Sequence, residues 1–370
     1  METSPLTLSR SVLCPLVLLL AACQSGGPGP RAVVVERGAF NTAIQRTDSE
    51  QLLLNIVRLR YVDTPQFLEL SSIASQVEVE MGGSLSADIP ERSRRDLDLG
   101  LGASVTVTRA PTVSYTPLQG EEFARQLLTP IDERTLVLLY HSGWSVDRLL
   151  RLTMQGLGPL PNAPRASGPT PASQPVFEDF LAVAEDLRLL QIAGRLKLGE
   201  GAGQSVGFVQ LVIDMDLPRE GEPEDPARTV RELLGLPMNE RRVVLATHHG
   251  SQPGHCSILP RSLMAMLFYA SQAVEVPEED LAAGVATRTL RADGTAFDWN
   301  ELFGGLFEVH SASQMPEAAY VAVPYRDRWF YIADDDLASK ATFSLLDQLF
   351  ALRAGDRASS APVLTLPVGS

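Results

Sequence analysis

Gly203-Gln204-Ser205-Val206-Gly207 matches the Gly-x-Ser-x-Gly pattern of a nucleophile elbow, and Asp214 or Asp216 followed by His248 mimics the chain order of a hydrolase triad. Such chemistry needs the serine at a sharp turn from strand into helix, where its hydroxyl is exposed and the helix N-terminus assists the oxyanion. Here Phe208-Val209-Gln210-Leu211-Val212-Ile213 follows the serine, which is a β pattern. The context is reversed, so a glycine-rich turn before a strand is the better reading. Alternation along that strand puts Asp214 and Asp216 on one face without making them a general acid and base.

Downstream, His248-His249-Gly250-Ser251-Gln252-Pro253-Gly254-His255-Cys256 gathers three of the five histidines beside a thiol. Imidazole and thiolate suit zinc or copper, and a turn at Pro253-Gly254 would fold His255 towards His249. The spacing fits no zinc signature, however, and a polar loop is the simpler expectation. No cofactor or metal site is expected.

Cys23 carries the most specific chemistry. A short start with Arg10, an apolar stretch over residues 12–20 and the small residues Ala21 and Ala22 lead to it, as in a bacterial lipoprotein signal. The expectation is cleavage before Cys23 and diacylglycerol on its thiol, with each buried methylene contributing about 0.8 kcal/mol to anchorage. Gln24 stands where lipoproteins kept at the inner membrane usually carry Asp, which favours the outer membrane. Removing residues 1–22 takes away Glu2 and Arg10 together, so the net charge stays at -14. That acidity argues against nucleic acid and anionic lipid surfaces as partners. Cys14 leaves with the signal, and with Cys23 lipidated, Cys256 has no partner in the chain. No disulfide framework is expected, and 45% hydrophobic residues suffice for a core without one.

The elements that would carry these groups can be read from pattern. Residues 23–38 begin with Gly and Pro and suit a flexible tether. A helix is predicted from Asp48, with Gln51 as its reciprocal capping partner and Leu52, Leu53, Ile56 and Val57 on its apolar face. Arg58 and Arg60 read as solvated charges at its C-terminal end.

Residues 77–89 then alternate strictly. Val77, Val79, Met81, Leu85 and Ala87 take one parity, and Glu78, Glu80, Ser84, Ser86 and Asp88 take the other. A second alternating run, from Leu97 to Val107, follows a polar connection, so residues 77–107 read as one antiparallel hairpin. Each strand has the 9–11 residues that a tilted strand needs to cross a bilayer, and several copies could close a barrel. The alternative is a hairpin whose apolar face packs on the domain's own helices.

Six prolines fall within residues 156–175, the best domain boundary in the chain. The expected class is α+β, with two mixed domains at 39–155 and 176–370. The second alternates helices and strands, closing with a helix after Asp334-Asp335-Asp336 and a strand near residues 363–366.

Gln51-Leu52-Leu53-Leu54-Asn55-Ile56-Val57-Arg58, Tyr115-Thr116-Pro117-Leu118 and residues 329–349 resemble an uncharacterised family of Gram-negative bacterial envelope lipoproteins. The resemblance implies an envelope location and transfers no activity or site. The chain therefore reads as a non-enzymatic structural or interaction lipoprotein, anchored in the outer membrane, facing the periplasm and holding an envelope protein partner. An oligomeric pore or export subunit that inserts the 77–107 hairpin is the alternative, and a periplasmic hydrolase using Ser205 the third reading.

Overall fold

The computed structural model describes residues 30–88, 98–202, 209–222, 224–247 and 254–354, and the fold is mixed α+β. Helix α1 spans Pro30–Arg60. It begins well before the predicted start at Asp48, so residues 30–38 are helical and only the earlier part of the expected tether lies outside the described residues. Proline is tolerated in the first turn, where its missing N–H would have had no partner. Asp48 and Gln51 are thus interior positions rather than a capping pair. Leu53, Ile56 and Val57 are fully buried on one stripe of α1. The helix ends as Tyr61 and Asp63 donate back to the Arg58 carbonyl, with Val62 in the left-handed region.

Strands β1 (Leu68–Asp88) and β2 (Asp98–Pro117) form a two-stranded antiparallel sheet of their own. Three helices follow: α2 (Glu121–Leu128), α3 (Glu133–His141) and α4 (Val146–Thr153). The sequence reading passes over α3, whose N-terminus Asp132 caps by accepting from the Thr135 N–H at 2.8 Å.

Strands β3 (Met154–Leu157) and β4 (Leu160–Pro161) lead to α5 (Glu178–Ile192), β5 (Leu196–Ala202) and β6 (Val209–Met215). Next come α6 (Pro226–Leu234), β7 (Arg242–Ala246), β8 (His255–Pro260) and α7 (Leu263–Ser271). The six strands make one sheet in the order β4-β3-β8-β7-β6-β5, parallel at β7–β8 and antiparallel elsewhere. Short helices α8 (Glu278–Ala282) and α9 (Asn300–Phe303) precede β9 (His310–Ala312), β10 (Ala319–Tyr325) and β11 (Arg328–Ala333), a second sheet ordered β10-β11-β9. Helix α10 (Leu337–Ala354) starts after Asp336, whose carboxylate accepts the Ser339 N–H. The strand expected near residues 363–366 lies outside the described residues.

Residues 156–175, expected as a connector between domains, are built into the structure instead. They supply the edge of the six-stranded sheet, a short 3₁₀ turn at Pro164–Ser167 and the fully buried Asn162, Ala163 and Ala166. One contiguous buried cluster runs across them, from Leu53 and Leu149 before the stretch to Phe180, Leu267 and Leu346 after it.

Arg261 explains how prolines and free carbonyls can sit there. Its side chain is 0% exposed, stacks over the Tyr269 ring at 3.7 Å, and donates to the carbonyls of Arg151 (3.0 Å), Leu152 (3.2 Å), Met154 and Asn162, and to Ser167 Oγ (2.9 Å). The C-terminal carbonyls of α4, which the helix leaves unpaired and its dipole makes negative, thereby meet a guanidinium. Arg231, also 0% exposed, donates to the carbonyls of Ala227, Met215 and Glu240 at 2.9, 3.1 and 3.0 Å, joining the first turn of α6 to the end of β6 and the loop before β7.

Candidate functional site: a free-standing hairpin

The strands predicted at 77–89 and 97–107 lie within a longer hairpin of 21 and 20 residues. At about 3.3 Å per residue each strand extends roughly 70 Å. Its register pairs like with like: Val79 with Val107, Met81 with Val105, Leu85 with Leu101 and Ala87 with Leu99 share one face. Glu78 with Thr108, Glu80 with Thr106 and Asp88 with Asp98 share the other. Near its base the alternation lapses, with Ser72, Ser75 and Pro111 in the ribbon and a register shift between Leu70 and Ser72. The amphipathic half is therefore the distal half. Among the described residues neither strand pairs with a third. An isolated two-stranded ribbon is marginal in water, and both its long edges offer unpaired N–H and C=O groups.

The base is fixed by two amides on α1. Gln51 accepts the Leu68 N–H at 2.7 Å and donates to the Leu68 carbonyl at 3.1 Å. One helical turn on, Asn55 accepts the Gln66 N–H at 2.9 Å and donates to the Gln66 carbonyl at 2.7 Å. Each side-chain amide thus plays the part of a peptide group in a neighbouring strand. Opposite them, the Leu118 N–H donates to the Phe67 carbonyl at 2.9 Å, and the Phe67 ring stacks on Phe350 with centroids 5.0 Å apart. The segments around Gln51–Asn55 and Tyr115–Leu118 consequently meet at this base. Sequence reasoning missed these roles; two amides four apart among apolar helix residues were the available signal.

Of the other candidates from sequence, Asp214, Asp216, His255 and Cys256 lie within the described residues. Cys23, Ser205, His248 and His249 lie outside the described residues. Asp214 pairs with Arg241 at 3.7 Å, and Asp216 pairs with both Arg241 and Arg195. Arg195 holds Asp225 through two hydrogen bonds of 3.0 and 2.9 Å, and the backbone N–H groups of Arg219 and Ala227 also donate to that carboxylate. Burial alone would raise the Asp225 pKa, but these donors outweigh it and hold it at about 2. Asp214 and Asp216 thus belong to a structural ion-pair network. His255 opens β8, and the next residue, Cys256, is buried with its pKa pushed up to about 12 by desolvation. Among the described residues no group of three or more His, Cys, Asp or Glu is placed to hold a metal ion. No helix of the described residues is long and apolar enough to cross a membrane.

Comparison with protein-family models, with curated proteins and with solved structures finds no match to this chain.

Proposed function

We propose that this protein is a non-enzymatic outer-membrane lipoprotein, held by lipid on Cys23, that gives its hairpin to an oligomeric β-barrel pore or export conduit. One observation carries the reading: a paired ribbon whose distal strands alternate in register, with apolar positions on one face over the length of a bilayer crossing and, among the described residues, no third strand beside it. A single such ribbon cannot cross lipid, because its edges stay unpaired. A ring of copies satisfies every edge and turns the apolar faces to lipid and the acidic, serine- and glycine-rich faces to the lumen. The resemblance to Gram-negative envelope lipoproteins supports the location.

Detergent-solubilised full chain is expected to run as a ring-sized oligomer and to give discrete conductance steps in planar bilayers. Deleting residues 77–107 is expected to return monomers without conductance. A chain that is monomeric in both forms and electrically silent overturns the reading.

A further inference from the structure

Helix α1 and the hairpin leave their common base on the same side. Gln66 is held at Asn55, and Leu68 one helical turn back at Gln51, so β1 advances towards the N-terminal end of α1. Leu70 continues that course, sharing a cleft wall with Asp48. Between Gly38 and Asp48 only Phe40 and Ile44 are half-buried and the rest are exposed, so this part of α1 stands at the edge of the body.

Two lengths then agree. Pro30 stands twenty-one residues before Gln51, a rise of about 32 Å along the helix. Val77 stands nine residues after Leu68, a rise of about 30 Å along the strand. Measured from the base, the start of α1 and the Val77–Arg109 pair are therefore level.

The character of the ribbon changes at that same level. Beyond it, the parity of Val77 carries the apolar pairs from Val79 with Val107 to Ala87 with Leu99, whereas the pair just before it is Ser75 with Pro111. Arg109 is the only Lys or Arg in the sequences of the two strands, and it falls on the apolar parity at its edge. A cation is costly within hydrocarbon, but at the interface a long stem lies along apolar surface and its charge reaches the headgroups. Seven residues lead from Cys23 to Pro30, and such a length spans at most about 25 Å.

We infer that the surface of the leaflet holding the Cys23 lipid lies at the level of Pro30 and of the Val77–Arg109 pair, with Arg109 among lipid phosphates. Residues 68–76 and 110–117 are then a stalk outside the bilayer, as tall as the stretch of α1 that rises with it. The inference deepens the proposed function: it rests on the lipid at Cys23 and on entry of the hairpin into lipid, but not on closure of a ring.

The test uses the full lipidated chain in vesicles of phosphatidylethanolamine and phosphatidylglycerol. Single nitroxides are placed through Ala32→Cys, Gly38→Cys, Ile73→Cys, Val77→Cys, Val79→Cys, Leu101→Cys or Val113→Cys, while burial shields Cys256. Depth is read from collision with oxygen, which favours lipid, against a nickel chelate, which stays in water. Ile73 and Val113 pair on the same parity as Val79 and Leu101, so only the level differs between them. Nickel should dominate at positions 38, 73 and 113, and oxygen at 79 and 101. Positions 32 and 77 should share headgroup depth to within about 6 Å, two strand residues. Oxygen dominating at 73 and 113, or positions 32 and 77 at clearly different depths, overturns the inference. Conductance of the same samples separates the two readings. The expected depths in a silent chain leave the level standing and overturn the pore. Wrong depths in a conducting chain do the reverse, and nickel dominating throughout the hairpin overturns both.

Discussion

Replacing Arg261 by methionine tests whether residues 156–175 are a joint between units or part of one core. The guanidinium reaches four carbonyls and one hydroxyl with no exposure to water. After substitution, the Arg151 and Met154 carbonyls keep a donor, because Asn162 Nδ2 bonds them at 2.9 and 2.8 Å. The Leu152 and Asn162 carbonyls lose theirs, and each buried acceptor so stranded costs about 1–3 kcal/mol. Methionine fills most of the volume, and removing a buried charge recovers part of its desolvation. The expected loss is about 3–5 kcal/mol, the range seen when one member of a buried charged contact is removed. Arg261→Lys, with one ammonium for contacts spread over four carbonyls, is expected to lose about half as much. Urea unfolding followed by far-ultraviolet circular dichroism and by tryptophan fluorescence reads the effect, since Trp144 and Trp299 lie on opposite sides of the stretch. Both probes should report one coincident transition moved to lower urea. A shift under about 1 kcal/mol, or two separated transitions with only one displaced, refutes the reasoning.

Other outcomes follow from single contacts. Asp225, held at about 2 against 3.8 for the unperturbed group, gives stability that is fully present above pH 4 and is lost as pH falls towards 2. Asp225→Asn should cost about 2 kcal/mol at pH 7 and flatten that acid limb in denaturation measured across pH. Cys256 should resist an aromatic disulfide reagent at pH 8 in the folded chain and react at once in urea, and equal rates would contradict its burial. Gly158 has φ +56°, and a methyl there would meet Cys256 Sγ at 3.2 Å, so Gly158→Ala should lower stability by about 1–2 kcal/mol in the same unfolding assay. Asn55→Leu should destabilise by about 1–3 kcal/mol, because it strands both polar groups of the Gln66 peptide, and a neutral result would remove Asn55 from the base of the hairpin.

What was legible in the sequence is what repeats. The alternation of Val79, Met81 and Leu85 against Leu101, Val105 and Val107 points to a hairpin, and helix α10 follows Asp334-Asp335-Asp336 as that acidic start signals. What stayed hidden depends on contacts across long separations. Arg60 looks like any cation at a helix end until Thr170 and Thr287, more than a hundred residues away, are seen to receive it. Prolines at 159, 161 and 164 signal a linker by composition, because nothing local says that Arg261, about a hundred residues on, will hold the Asn162 carbonyl between them. Gln51 has the spacing of a capping partner, whereas the Leu68 peptide it bonds lies seventeen residues on and leaves no local signature. Asp214 pairs with Arg241, a contact that no local pattern announces.

The two amides of α1 also make the hairpin a lever. Gln51 and Asn55 grip it at Leu68 and Gln66, within three residues at one end, whereas the far end lies about 20 residues away. A change of 10° in pitch at that grip would carry the far end roughly 12 Å, given about 3.3 Å of rise per residue. The grip sits on the helix whose start, at Pro30, is only seven residues from Cys23. A tilt of α1 by about 10° is thereby magnified into a displacement at the far end of the described strands of more than a third of a bilayer's hydrocarbon thickness of about 30 Å.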